Sequence, residues 1–370
     1  MKNTKYRRII IYLGHPAQFH FFKNIIENLR KDGHEVKILL KTKDILEQLV
    51  QETGYDYINI QKQVRKNNYF SIAKASLART FAMLKIAHNY RPNMIIGTDA
   101  SVAQVSKLLR IPGITVLEDD IEIITKMAKL AFPFSDSIVV PSVCRVGKWE
   151  AKKIPYYGYM KLAYLHPNRF TPDEAIVKKY ISEEKYCIVR LAQLTAFHDV
   201  GINGLNVDLV SNIISQAKEH GYRIYISSES ELDESLKEYQ LTIQPTDMHH
   251  IMSFASLIIS DSQSMSVEAA MLGIPSLRFS DFSGRIRVLE ELEHKYGLTY
   301  GIKTNNPQEL CKKTAEFFTM PSLRETFQKR RQKMLDEKID VTAFFVWFIE
   351  NYPESKETMK RNPDYQYNFK

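Results

Sequence analysis

Short runs of uninterrupted apolar residues alternate along the chain with segments whose apolar positions recur every three to four residues. In the first half the runs lie at Arg8 to Leu13, Val36 to Leu40, Tyr57 to Ile60, Met94 to Gly97, Ile114 to Leu117 and Ile138 to Val140. Runs that are apolar throughout, rather than at every second position, predict strands covered on both faces, as in a parallel sheet between layers of helix. The rhythm breaks near Pro155. There Ile154-Pro155-Tyr156-Tyr157-Gly158-Tyr159, followed by Pro167 and Pro172, reads as an irregular aromatic connection. It then resumes, with strands expected at Tyr186 to Leu191, Arg223 to Ser227, Leu241 to Ile243, Leu257 to Ser260, Ser276 to Phe279 and Leu298 to Tyr300. The pattern therefore predicts an α/β protein of two Rossmann-like domains, residues 1–158 and 159–336, facing each other across a cleft. The remainder, residues 337–370, reads as helical. Phe344, Phe345, Trp347 and Phe348 in it need an apolar surface, so this segment is expected to cross back onto the first domain.

A length of 370 residues and an apolar fraction of 44% suit two cores of ordinary size. The net charge of +8 is spread among interleaved acids and bases, with no zinc-finger spacing, aromatic RNA-binding strand or continuous basic helix, so nucleic-acid binding is not expected. Attraction to anionic substrates or to an anionic membrane face remains open. Cys144, Cys187 and Cys311 are far apart in apolar settings, which argues against disulfides and zinc and fits a reducing compartment. The apolar run after the basic start, Ile9 to Leu13, is too short for a signal peptide, and no run has membrane-spanning length. A cytoplasmic protein is expected, with at most peripheral contact at the inner face of the membrane.

The densest chemistry lies in Leu257 to Arg278, LIISDSQSMSVEAAMLGIPSLR. A buried strand ends at Asp261, a polar turn follows, and Met265 to Leu272 is predicted as a helix stopped by Gly273 and Pro275. Its N-terminus then points out of the carboxyl edge of the sheet, with free backbone N–H groups beside Ser262, Gln263 and Ser264. That favours a phosphate or pyrophosphate, by helix dipole and direct hydrogen bonds together. Glu268, one turn on, is placed to accept hydrogen bonds from two ribose hydroxyls. The same residues also satisfy a plain capping pattern, with Ser264 or Ser266 as the cap.

The order strand, Asp261-Ser262-Gln263-Ser264, then Glu268-Ala269-Ala270-Met271-Leu272-Gly273-Ile274-Pro275 resembles the donor-nucleotide segment of the glycosyltransferase-B superfamily, which includes the non-hydrolysing UDP-sugar 2-epimerases. Further segments are Gly14-His15-Pro16 with Phe21-Phe22-Lys23, Gly158-Tyr159 with Ala163-Tyr164-Leu165, and Phe170-Thr171-Pro172-Asp173. Others are Val189-Arg190, Ala196-Phe197-His198-Asp199-Val200-Gly201 and Ser227-Ser228-Glu229. Together, up to about Ile302, they are similar to a prokaryotic family of glycosyltransferase-B-like proteins classed as a domain of unknown function. The resemblance implies a nucleotide-sugar donor and places Ser227, Ser228 and Glu229 near its base or ribose. The loop at Thr195 to Asp199 is similar to the Thr-x-His-Arg loop of the 2-epimerases, with Asp199 where they carry arginine. On its own chemistry, Arg190 at a strand end can pair with phosphate oxygens, and His198 in the following loop can reach the pyrophosphate or the sugar.

In the first domain, Gly14-His15-Pro16 follows the first strand without the glycines of a dinucleotide fingerprint, so no NAD or other cofactor is expected. Gly14 is read as permitting a tight turn that brings His15 forward as a general base. Asp99, in Gly97-Thr98-Asp99-Ala100-Ser101, and Glu118, in Glu118-Asp119-Asp120, end strands of the same sheet as further acid or base candidates. Asp99 and Asp120 also fit the role of helix caps. Lys62, Arg65, Lys66, Lys74 and Arg79 are interleaved with Tyr69 and Phe70; the resemblance to the superfamily implies a patch presented to a lipid-linked acceptor, and a solvated helix face is the alternative.

These features point to a glycosyltransferase taking a nucleotide-sugar donor and a glycan or lipid-linked acceptor in cell-surface polysaccharide assembly. No Asp-x-Asp motif follows a strand, so metal-independent transfer and no metal site are expected. The alternatives are a non-hydrolysing NDP-sugar 2-epimerase and a non-catalytic protein that binds nucleotide sugars or glycans.

Overall fold

The computed structural model describes residues 6–62, 69–192 and 204–370. They form two compact units, Met1–Arg169 together with Lys338–Lys370, and Phe170–Glu337.

The first unit is built on seven parallel strands: β1 (Arg8–Leu13), β2 (Glu35–Lys41), β3 (Tyr57–Gln61), β4 (Met94–Gly97), β5 (Gly113–Val116), β6 (Ser137–Pro141) and β7 (Lys153–Tyr156), in the order β3-β2-β1-β4-β5-β6-β7. Ile9 to Leu13 are almost wholly buried because helices cover both faces of the central strands. From β1 to β3 the chain moves one way across the sheet and from β3 to β6 the other. Right-handed crossovers therefore put Pro16–Lys31 and Leu46–Glu52 on one face, and Tyr69–Tyr90, Ala100–Leu109 and Thr125–Ala131 on the other. Where the sequence reads as an irregular connection, Lys153–Tyr156 is a strand, with Pro155 opposite Val140. It lies at the sheet edge, the one place where a residue without an N–H costs the ladder nothing.

The second unit has five parallel strands, β8 (Tyr186–Leu191), β9 (Arg223–Ser228), β10 (Leu257–Ser260), β11 (Ser276–Phe279) and β12 (Tyr300–Ile302), in the order β12-β11-β10-β8-β9. The strand expected at Leu241 to Ile243 does not form. A single bridge joins Gln240 to Ile226, the Leu241 amide donates to the Ile226 carbonyl at 2.8 Å, and the chain then turns off at Pro245.

The C-terminal segment returns to the first unit. Helix Val341–Glu350 buries Phe344, Phe345 and Phe348 completely, and Phe345 meets Phe21 edge to face at 5.0 Å. Each such side chain contributes about 2–3 kcal/mol of burial. Polar contacts fix the docking: Thr342 Oγ1 and Asn24 Nδ2 both donate to the Ala163 carbonyl, and Arg7 donates to the carbonyls of Glu350 and Tyr352. Strand order reverses between β1 and β4 in one sheet and between β8 and β10 in the other. In open α/β sheets, ligands bind beyond the carboxyl ends of the strands at these positions.

Candidate functional site

Beyond β10 the chain runs through Ser260-Asp261-Ser262 into helix Gln263–Leu272. The helix starts two residues earlier than the sequence suggests, and its cap is Ser262 rather than Ser264 or Ser266; Ser262 Oγ accepts from the Met265 amide at 3.4 Å. Ser262 is also fixed from below, its own amide donating to Ser260 Oγ at 2.8 Å. The Gln263 side chain is folded away from the helix end, donating to Ser280 Oγ at 2.9 Å and accepting from the wholly buried Arg278 at 2.8 Å. With that cap and that side chain engaged elsewhere, the amides of Gln263 and Ser264 have no acceptor among the described residues. Two N–H groups at the positive end of a helix form an anion site.

Around this helix end the candidates divide. Asp261 is buried and both its oxygens serve the backbone, Oδ1 taking the Ala192 amide at 2.7 Å and Oδ2 the Leu205 amide at 3.3 Å. Its carboxylate is therefore occupied by the amides of Ala192 and Leu205. Gly204 is needed for that approach, since a Cβ there would sit 2.5 Å from Asp261 Oδ2. Burial raises the Asp261 pKa to about 6, against the opposing pull of those amides and of Arg190. Arg190, at the end of β8, donates to Ser227 Oγ at 2.7 Å and is ion-paired with Glu229, so three of the candidates form one cluster at the ends of β8 and β9. Ser228 accepts from the Ser230 amide at 3.2 Å in the turn after β9. Glu268 lies 3.3 Å from His249 Nε2, a neighbour the sequence gives no reason to expect. His250 points elsewhere, its Nδ1 accepting from the Asp173 amide at 3.0 Å. His198 lies outside the described residues.

In the first unit, His15 caps helix Pro16–Lys31, with Nδ1 accepting from the Ala17 amide at 3.2 Å. The ring is solvent-exposed yet densely surrounded, and this crowding, outweighing nearby Asp44 and joined by Lys43, Lys161 and Lys41, lowers its pKa to about 4. A neutral imidazole whose Nδ1 accepts must carry its proton on Nε2, so His15 is presented as a hydrogen-bond donor, not as the general base the sequence suggests. Gly14 does not adopt a left-handed backbone either. Its value is close approach, since a Cβ would lie 3.3 Å from the Tyr12 ring and 3.4 Å from Lys41 Cε.

Both strand-end carboxylates are committed to the protein. Asp99 caps helix Ala100–Leu109 through the Ser101 amide and receives a two-pronged ion pair from Arg79 at 2.9 and 3.1 Å. Burial would raise its pKa, but Arg79 and Ser101 outweigh burial and hold it below the ordinary value. Arg79 itself is buried, so it is no part of a basic surface patch. Of the other residues in that patch, Arg65 and Lys66 lie outside the described residues. Glu118 accepts from Lys161 at 2.8 Å and from the Met160 amide at 2.6 Å. Asp120 is not a helix cap but accepts from the Arg145 amide at 2.9 Å. Both strand-end carboxylates are thus engaged by a cationic side chain of the first unit. Among the described residues, no three His, Cys, Asp or Glu are grouped to hold a metal ion, and no helix is long and apolar enough to cross a membrane.

Comparison with the curated proteins gives no match. Solved structures with a similar fold include the UDP complex of S. aureus MnaA, 12% identical, with a TM-score of 0.66 and 94% of this chain and 97% of that one covered. The UDP-GlcNAc 2-epimerase of Neisseria meningitidis bound to UDP-GlcNAc is 12% identical at a TM-score of 0.61, covering 90% and 94%. The spinosyn rhamnosyltransferase SpnG, complexed with spinosyn aglycone, is 15% identical at 0.62, covering 93% and 100%. The architecture is thus the glycosyltransferase-B fold shared by glycosyltransferases and UDP-sugar epimerases. Residues 8–341 match the profile of the family described as "Protein of unknown function (DUF354)", and the chain belongs to that family.

Proposed function

We propose that the chain is a glycosyltransferase whose second unit holds a nucleotide-activated sugar at the start of helix Gln263–Leu272. The observation that carries this reading is the pair of open amides at Gln263 and Ser264, set at the point where strand order reverses in the second sheet. Neighbours in fold that carry UDP or UDP-GlcNAc support a nucleotide of that kind. In transfer, the acceptor hydroxyl oxygen bonds the anomeric carbon as the bond to the donor diphosphate breaks; the hydroxyl proton passes to the departing diphosphate or to solvent, and negative charge grows on the leaving group. N–H groups already in place stabilise that charge without reorganising. Arg190 adds positive charge to the extent that an arriving phosphate displaces Glu229, and Glu268 is assigned to the ribose hydroxyls. His15, with its proton on Nε2, is assigned to hydrogen-bond an acceptor oxygen.

An NDP-sugar 2-epimerase needs groups free to move protons at the sugar ring, and the ion pairs of Asp99 with Arg79 and Glu118 with Lys161 weigh against that alternative. The test is incubation with a panel of nucleotide sugars in deuterium oxide, with and without glycan acceptors. Acceptor-dependent release of the nucleoside diphosphate supports transfer. Deuterium at C2 of the donor without acceptor identifies epimerisation, and binding without turnover of any donor identifies a non-catalytic protein.

A further inference from the structure

The first unit carries a second surface that the transfer reading does not use. Of ten large apolar side chains that stand exposed among the described residues, five fall on one face of the first sheet. They are Leu77 and Phe81 on helix Tyr69–Tyr90, Leu108 on Ala100–Leu109, Leu130 on Thr125–Ala131, and Phe134 just beyond, each between 42% and 68% exposed. The crossover rule sets these three helices side by side, and side chains tie them laterally. Thr80 Oγ1 lies 3.3 Å from Gln104 Oε1, and Gln104 Nε2 donates to the Leu130 carbonyl at 3.2 Å. Leu77 and Phe81 are one helical turn apart, and Leu108 is one turn beyond Gln104, so the apolar tips form one neighbourhood.

The three helices of this face carry charge of one sign. The three helices contain Lys74, Arg79, Lys85, Lys107, Lys126 and Lys129 and not a single Asp or Glu. Arg79 is turned inward to Asp99, and the five lysines are exposed. The acids nearest the third helix in sequence, Glu122 and Asp136, lie outside it. On the opposite face Phe21 of helix Pro16–Lys31 is covered by Phe345 of the C-terminal helix. The face bearing Phe81 has no such cover among the described residues.

We propose that this face docks on an anionic lipid bilayer, with Leu77, Phe81, Leu108, Leu130 and Phe134 entering the headgroup boundary and the lysines meeting lipid phosphates. An apolar patch ringed by lysine matches a surface that is apolar within and negative at its rim. A second copy of the chain is a poor occupant, because two such faces brought together oppose like charges.

The test is co-sedimentation of the full chain with phosphatidylcholine vesicles, with and without phosphatidylglycerol, and it needs no nucleotide sugar. Failure of the transfer reading therefore leaves it untouched. The chain is expected to sediment with the anionic vesicles and far less with the neutral ones. Replacing three lysines together, Lys85→Gln, Lys107→Gln and Lys129→Gln, is expected to weaken partitioning on the order of 100-fold, close to fivefold per lysine. Phe81→Asp with Leu108→Asp is expected to abolish it. All five positions are exposed, and a melting curve followed by circular dichroism checks that the variants fold; the lysine set decides alone if the acidic pair does not. The proposal is overturned if the unaltered chain stays in the supernatant with anionic vesicles, or if the lysine set binds as tightly as the original. It is equally overturned if light scattering shows a dimer that Phe81→Asp dissolves.

Discussion

Replacing Asp261 by Asn separates the two things its carboxylate does. The group joins Ala192 and Leu205 through their amides, and it is an ionisable side chain in a place that disfavours its charge, with a pKa of about 6 in place of the ordinary 3.8. A carboxyl whose pKa is raised on folding binds its proton more tightly in the folded state. Its stabilising contribution is therefore complete below pH 3.8 and is lost as pH rises through 6. The difference between those values corresponds to about 3 kcal/mol, most of it falling between about pH 4 and pH 7. Asp261→Asn carries no titrating proton there and keeps one carbonyl oxygen for the Ala192 amide. Urea unfolding of both proteins across that range is expected to show the stability of the original chain, relative to Asp261→Asn, declining by about 2 kcal/mol as pH rises. A flat difference, or one that grows with pH, would refute the reasoning that burial dominates at Asp261.

Other expectations follow from single contacts. Arg79→Ala leaves the Asp99 carboxylate without its guanidinium, and a loss of about 3 kcal/mol in urea unfolding is expected; a loss below about 1 kcal/mol would show the pair to be dispensable. Gly204→Ala drives a Cβ into Asp261 Oδ2, so nucleotide affinity measured by calorimetry is expected to fall while the first unit's melting is unchanged. Since the crowding around the exposed His15 ring lowers its pKa to about 4 from 6.5, its neutral form prevails at and above the ordinary value, and any stability tied to it fades only as pH falls from 6.5 toward 4. The pH profile of kcat/KM is then expected to lack an inflection near 6.5 that disappears in His15→Gln, and finding one would restore His15 as a base.

The sheets were legible because their central strands, such as Ile9 to Leu13 and Leu257 to Ile259, are apolar throughout, which only two-sided burial explains. The edges were not. Lys153–Tyr156 contains a proline that forbids an interior strand but not an edge one, and Leu241 to Ile243 has an apolar pattern without sheet partners beyond a single bridge. In the candidate site, the turn after β10 could be read because strand, cap and helix are contiguous in sequence. The roles of Asp99 and Glu118 could not, because their partners Arg79 and Lys161 stand 20 and 43 residues away on other elements. Arg278, which holds the Gln263 side chain, was hidden for the same reason: a wholly buried guanidinium in a strand carries no local signal.

A donor site at this helix end requires the Gln263 amide to meet a diphosphate, and one comparison isolates that single N–H. Gln263 is the first helical residue after an extended Ser262, a position that accepts proline, so Gln263→Pro deletes the amide hydrogen while the helix is kept. Gln263→Ala removes the same side-chain contacts to Ser280 and Arg278 but leaves the amide in place. With UDP titrated into both variants by calorimetry, binding to Gln263→Pro is expected to be weaker than to Gln263→Ala by about 10-fold or more, the worth of one hydrogen bond to a charged group. Equal affinity in the two variants, or no diphosphate bound by the original chain, would contradict a donor site at this helix end.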